Sequence, residues 1–264
     1  MKNFIKINNL NYHYGKIKVL ENIYFNIEGR NFVSIVGANG SGKTTLLKNI
    51  AKILSPQKNQ IFVNDKDIND YSYKEFSRIV SYVPQFINIE FNYKVIDIIL
   101  MGRTQFTSIY GKISNKDYEI CLKALKLVQS EHLIDRDVTK LSGGERQKVF
   151  IAKALAQQTP IILLDEPISH LDLKNQIEIL DILKGLSRND KLIVTILHDL
   201  NLANIYSDYV IMLKKGEIFC CGEPNSIINE VNIKNCYEID VKTIGENFFI
   251  PVSITQINTD YKKD

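Results

Sequence analysis

A glycine-rich stretch, Gly37-Ala38-Asn39-Gly40-Ser41-Gly42-Lys43-Thr44, follows directly on the apolar run Phe32 to Val36 and precedes a helical pattern. It fits G-x-x-x-x-G-K-[ST]. Glycines let the backbone turn tightly with its N–H groups pointing inward at a polyphosphate, and the helix behind adds the positive end of its dipole. In such a cradle Lys43 reaches the β- and γ-phosphates and the Thr44 hydroxyl is a Mg²⁺ ligand. Chance places these fixed positions in a chain of this length with a probability on the order of 1%. Alone, the stretch could still be an ordinary strand-to-helix turn.

The second constellation is Ile161-Ile162-Leu163-Leu164-Asp165-Glu166-Pro167, an apolar strand that ends in two carboxylates. If both strands are parallel, their C-terminal ends share the sheet edge where open α/β folds bind ligands. Neighbouring residues leaving a strand point to opposite sides. Asp165 can therefore hold Mg²⁺, directly or through water, while Glu166 polarises an attacking water as a general base. A lone Asp-Glu pair is usually a solvated turn; the cradle changes the balance. Third comes Leu141-Ser142-Gly143-Gly144-Glu145, where Ser142 and Glu145 make a capping box at the head of a helix through Val149, Phe150, Ala152 and Leu155. Gly143 and Gly144 leave that helix end free to meet a phosphate, which points to a second anion-facing surface.

These residues need a scaffold, and the sequence supplies its pattern. Short apolar runs at Phe32–Val36, Val80–Val83, Ile161–Leu164, Leu192–Leu197 and Tyr209–Leu213 lack alternation, as strands do when both sheet faces are covered. Helical spacing joins Tyr118, Cys121, Leu122, Leu125 and Val128 behind a cap at Ser114, and again Ile177, Leu180 and Leu183. Phe86 to about Lys140 has helical signals and no convincing strand, so it reads as a helical insertion into an α/β core. The pattern loosens after Gly222, with a last short strand at Phe248 to Val252.

Composition agrees with a globular chain: 264 residues, 45% hydrophobic and 24% charged. The net charge of +3 is too mild, and Lys and Arg too dispersed, for a nucleic-acid footprint, so no nucleic-acid partner is expected. No run approaches the roughly 18 apolar residues of a spanning helix, and Met1 to Leu10 lacks the apolar block of a signal peptide. Cys121, Cys220, Cys221 and Cys236 show no zinc-ligand spacing, which favours reduced thiols in the cytosol.

With its motifs in order, the chain closely resembles the ATP-binding subunits of ABC transporters over nearly its whole length. Leu141 to Glu145 is that family's signature, and the order Tyr14, Gly37 to Thr44, Gln85, Ser142, Asp165-Glu166, Ser169-His170-Leu171-Asp172, His198 is similar throughout. The resemblance implies a P-loop NTPase α/β core with an inserted helical subdomain (about 86–140) and an N-terminal antiparallel β region. It implies an ATPase domain over 1–240 and a short C-terminal extension over 241–264. ATP would be bound by Tyr14 (or Tyr12) on adenine, by the cradle residues Gly37, Ala38, Asn39, Gly40, Ser41, Gly42, Lys43, Thr44 and Thr45, and by Ser142, Gly143 and Gly144 across a head-to-tail dimer. Mg²⁺ would be held by Thr44, Gln85 and Asp165. Glu166, His198, Gln85 and Lys43 would carry the catalysis, and Asp172 would couple the two sites. His198 lies just past the Leu192–Leu197 strand, where a ring nitrogen could stabilise transition-state charge. Ile168 and Lys153 depart from the usual pattern at positions without a ligand role.

Partners implied are a second copy, transmembrane permease subunits at the cytoplasmic membrane face and, through them, an extracytoplasmic substrate-binding protein. Tyr93 to Thr104, His198 to Ala203 and the segment after Gly222 are similar to importers of iron–siderophore complexes, haem or cobalamin. A zinc or manganese importer and a soluble ATPase of iron–sulfur assembly are the alternatives. Val95, Ile98, Ile99 and Met101 would in any case serve as a buried helix stripe.

Overall fold

The computed structural model describes residues 4–29, 31–85, 91–106, 113–169, 171–189, 191–245 and 248–251. Met1, His170, Val252 and the start of the inserted segment at Phe86 lie outside them.

Strands β1 (Phe4–Tyr14) and β2 (Ile17–Glu28) form a long antiparallel hairpin, followed by β3 (Phe32–Gly37) and helix α1 (Lys43–Ile50). β4 (Ile61–Val63) and β5 (Lys66–Asp67) return to the hairpin, giving a four-stranded sheet of order β2-β1-β4-β5. A short α2 (Tyr73–Phe76) leads to β6 (Val80–Val83). Then come α3 (Val95–Leu100), α4 (Asn115–Leu127) and α5 (Gly143–Ala156), and after them β7 (Ile161–Leu164), α6 (Leu173–Arg188) and β8 (Leu192–Ile196). The chain continues through α7 (Leu200–Tyr206), β9 (Tyr209–Lys214), β10 (Glu217–Gly222), α8 (Pro224–Ile227), α9 (Glu230–Tyr237), β11 (Val241–Ile244) and β12 (Phe248–Pro251).

The central sheet runs β10-β9-β3-β8-β7-β6. Its strands are parallel except β10, which returns antiparallel to β9. β3, β7 and β8 are buried at every position, which is why their sequences are continuous apolar runs. One sheet face packs with the β1–β2 hairpin and α1, through Leu10, Leu20, Leu46, Leu47, Val33 and Ile35. The other packs with α3 to α7 and α9, through Val95, Leu125, Val149, Leu180, Phe32 and Val36. α3 and α4 both lie on α5, so the helical layer extends beyond Lys140 into the signature helix. On α4 the buried stripe is Cys121, Ala124, Leu125 and Val128, while Tyr118 and Leu122 stand at its exposed margin. Ser114 and Asp117 cap it reciprocally.

Among the described residues no helix is long and apolar enough to cross a membrane. No cysteine is in a disulfide; Cys121 and Cys236 are buried and Cys220 and Cys221 partly so.

Two glycines test the packing with opposite signs. A Cβ on Gly102 would stand 2.5 Å from the Lys153 carbonyl oxygen of α5, whereas one on Gly185, inside α6, would meet nothing within 4 Å. Gly102→Ala should lower the free energy of unfolding by about 1–3 kcal/mol. Gly185→Ala should raise it by about 0.5–1 kcal/mol. Urea midpoints at a fixed m-value measure both; equal shifts would contradict the packing described.

Candidate functional site

The central sheet brings the C-terminal ends of β3, β7 and β8 to one edge, and the residues singled out by type and spacing meet there. At the end of β3 the loop passes through Gly37, Gly40 and Gly42, whose φ values are 149°, 78° and 101°. At Gly37 the demand is also steric, since a Cβ would lie 2.3 Å from the Leu213 carbonyl oxygen. At Gly40 only the backbone conformation requires glycine, because the space around it is open. Lys43 lies buried under this loop, donating from Nζ to the carbonyls of Gly37 (2.8 Å) and Ala38 (2.9 Å). Burial pushes its pKa down, opposed by the negative fields of Glu166 and Asp165. Ser41 Oγ is buried with no partner among the described residues, an orphan donor inside the cradle that a phosphate oxygen would satisfy.

Asp165 and Glu166 diverge as adjacent residues should. Asp165 is buried; its Oδ1 accepts from Thr44 Oγ1 and its Oδ2 from the Tyr82 hydroxyl, both at 3.0 Å. Burial raises its pKa, the two hydroxyls pull it down, and the charge of Glu166 raises it further. A buried carboxylate beside the Thr44 hydroxyl is a hard oxygen donor set, which fits Mg²⁺. Glu166 adopts φ 50°, a conformation that costs a non-glycine residue about 1–3 kcal/mol, and this turn carries its carboxylate away from Asp165. Its Oε2 accepts from Gln85 Nε2 (2.5 Å) and Ser169 Oγ (3.0 Å), and its Oε1 lies 2.7 Å from His198 Nε2. Glu166 also lines a cavity of about 200 Å³ with Val19, Asn39, Gly40, Gly42, Lys43, Thr44 and Thr45. One carboxylate thus faces the Thr44 hydroxyl and the other faces the glycine loop across an open volume.

Five other expected residues lie apart from this cluster. Tyr14, 46% exposed, stands at the tip of the β1–β2 hairpin with its ring edge-on to Tyr12 at 5.2 Å. Ser142 caps α5, accepting from the Glu145 amide, while the Glu145 carboxylate accepts from the Ser142 amide; that amide first, and then the Ser142 hydroxyl, hold the Glu145 carboxyl below its usual range. A Cβ on Gly143 would meet nothing within 4 Å, whereas Gly144 abuts Asn175. Asp172 caps α6, accepting from the Asn175 amide. Within one chain, Ser142, Gly143 and Gly144 do not line the cavity at the cradle.

Tyr82 and Ser169 are contacts that motif reading alone does not assign. Tyr82 is an ordinary strand residue in sequence; only the pairing of β6 with β7, Tyr82 beside Leu163, brings its hydroxyl to Asp165. Behind the loop, Cys236 and Tyr237 of α9 line a second cavity with Ala38, Asn39, Gly40 and Ser41.

A family model described as ABC transporter matches residues 20–169. An uncharacterized ABC transporter ATP-binding protein of Methanocaldococcus jannaschii is 42% identical over 238 residues, 89% of this chain and 92% of that protein. The ferric enterobactin transport ATP-binding protein of Escherichia coli K12 is 33% identical over 252 residues, 93% of each chain. Among solved structures, an inward-facing conformation of a transporter assigned to the metal-chelate type superposes with a TM-score of 0.82 at 30% identity, over 96% of this chain and 98% of that one.

The two halves of the cluster should separate by mutation. Lys43→Ala removes the charge under the phosphates and should weaken binding of a fluorescent ATP analogue at least tenfold. Glu166→Gln should bind the analogue as the natural chain does but release phosphate ~10²-fold or more slowly. Wild-type turnover in Glu166→Gln would remove Glu166 from the role of base.

Proposed function

The chain belongs to the ABC transporter family as an ATP-hydrolysing cassette, and from that premise we propose that it energises the import of an iron chelate, with ferric siderophore the first candidate. The single observation that carries the ATPase chemistry is the placement of Glu166 between Gln85, Ser169 and His198, facing the phosphate loop.

In the proposed mechanism the loop amides, Ser41 and Lys43 hold the triphosphate, with Lys43 exchanging its two backbone carbonyls for phosphate oxygens. Thr44 and Asp165 would hold Mg²⁺, with Gln85 as a further ligand. When bound, Mg²⁺ offsets the charge that develops on the phosphate oxygens. Glu166 accepts the proton of the attacking water, and His198 donates a hydrogen bond to the γ-phosphate as charge accumulates there. Tyr14 stacks on the adenine, its exposed ring at the hairpin tip being free to do so.

A cradle and a separate open signature end support a head-to-tail dimer. Gly143 faces open space, so a second copy can bring its Ser142, Gly143 and Gly144 over the γ-phosphate held by the first. Asp172, at the start of α6, couples the two sites. Each cassette works with a transmembrane permease subunit that holds it at the cytoplasmic face, and an extracytoplasmic binding protein delivers the chelate to the permease. The cargo rests on the ferric enterobactin and metal-chelate relatives and on the Tyr93–Thr104 and His198–Ala203 segments.

Ser142→Arg should leave ATP binding by the monomer nearly intact and abolish hydrolysis; full turnover in that variant would contradict the shared site. Deleting the gene should stop uptake of labelled ferric siderophore, with haem, cobalamin, Zn²⁺ and Mn²⁺ uptake measured beside it. Loss of free Zn²⁺ or Mn²⁺ uptake alone would overturn the cargo assignment and leave the ATPase untouched.

A further inference from the structure

The segment from α8 to β12 gives no residue to the Glu166 cluster, yet it is fastened to α7, the helix whose cap directly follows His198. β11 and β12 form an isolated two-stranded sheet in which Thr243 stands opposite Phe249. The Thr243 amide turns away from β12 and donates to Glu230 Oε1 of α9 at 2.7 Å, with Thr243 Oγ1 adding a bond of 2.8 Å. This pair is therefore of the kind whose main-chain groups point out of the ladder rather than across it. Those of Phe249 point at α7. Asn201 Nδ2 donates to the Phe249 carbonyl at 3.1 Å, and the Phe249 amide donates to Asn201 Oδ1 at 2.8 Å. A carboxamide carries one acceptor and one donor side, so Asn201 pairs with the peptide as a neighbouring strand would. The Phe249 ring, 8% exposed, is packed into the helical face of the core.

Asn201 is the second residue of α7, whose cap Asp199 accepts from the amides of Asn201 (2.8 Å) and Leu202 (3.0 Å). His198 immediately precedes that cap. Its side chain is 40% exposed, so its direction rests on the backbone at either end: buried Leu197, whose amide donates to the Ile35 carbonyl at 3.2 Å, and the turn that begins α7. The two bonds from Asn201 to Phe249 tie that turn to β12, two residues beyond the cap, while His198 Nε2 approaches Glu166 Oε1 to 2.7 Å on its other side.

We infer that Asn201 is a positioning residue for ATP hydrolysis: by clamping the first turn of α7 to β12 it aims His198 at the reacting phosphate, making the C-terminal hairpin a brace for the catalytic site. The inference rests on the role proposed above for His198. Displacing a catalytic group by a fraction of an ångström to an ångström costs up to about a hundredfold in rate.

The test measures kcat and KM for ATP on the full chain. Asn201→Ala should lower kcat about tenfold or more with KM unchanged. Asn201→Asp, which keeps the acceptor and loses the donor, should show the same split and serves if the alanine variant folds poorly. Introduced into His198→Ala, Asn201→Ala should cost nothing further, because the residue it aims is gone. Glu230→Ala loosens the other edge of the hairpin and should lower the melting temperature while leaving kcat within twofold. Wild-type kcat in both Asn201 variants, or a loss that multiplies with that of His198→Ala, would overturn the inference. Wild-type turnover in His198→Ala alone would instead overturn the assignment of His198, and the inference with it.

Discussion

The hydrogen bond between Thr44 and Asp165 closes a separation of 121 residues, and nearly everything else at the site follows from making it possible. It requires β3 and β7 to be parallel with β8 between them, so that both strands end at the same edge. It also requires the register Phe32–Ile193, Ile161–Leu192 to hold, because a slip of one residue would turn Asp165 to the opposite face. Both faces of β3, β7 and β8 are buried, so that register rests on how each side chain fits the helices on one face and the hairpin on the other. The same constraint fixes Glu166 by default. Once Asp165 faces Thr44, its neighbour leaves on the other side, and the left-handed turn at Glu166 completes the divergence.

Electrostatically the resting site is arranged around charges that the fold does not fully satisfy. Asp165 is buried against its own preference for water, with two hydroxyl donors and no cation among the described residues bonded to it. A carboxyl whose pKa is raised by folding costs stability above that pKa, and the cost falls as pH is lowered through it; a bound divalent cation offsets the same cost at neutral pH. Lys43 shows the opposite polarity of the same arrangement, its ammonium held by two backbone carbonyls that are weaker partners than a phosphate. Nucleotide binding is thus an exchange of partners at groups already desolvated, rather than the burial of new charge.

The cradle, the strand carboxylates and the signature cap were legible because each depends on local chain chemistry: glycine conformations, an apolar run, an i to i+3 box. The five core strands read correctly for the same reason, as runs too apolar for a half-exposed sheet. What was not legible depends on pairing. Strands β4, β5 and β11 are too short to read, and although the last strand was read at Phe248 to Val252, where β12 runs Phe248–Pro251, its hairpin with β11 is held by side chains outside it, Asn201 and Glu230. Tyr82 carries no motif and reaches Asp165 only through the β6–β7 register. On α4 the spacing alone gave a helix but placed Tyr118 and Leu122 with the core, whereas the layer beside it is only wide enough to bury Cys121, Ala124, Leu125 and Val128. The segment after Gly222 reads as loose because its order is borrowed from α7, β9 and the phosphate loop.

The strand order β10-β9-β3-β8-β7-β6 also dictates when the protein can fold during its synthesis. β3 is an early strand, but both of its neighbours, β8 and β9, are made more than 150 residues later. A chain still emerging from the ribosome can close the β1–β2 hairpin, whereas β3 and the glycine loop that hangs from it have nothing to pair with until the last quarter of the core arrives. The nucleotide loop is thus among the first motifs translated and among the last to take shape. An apolar strand waiting unpaired through that interval is a natural client for chaperones, and truncation anywhere before β9 should leave a cassette without a phosphate site rather than a smaller working one.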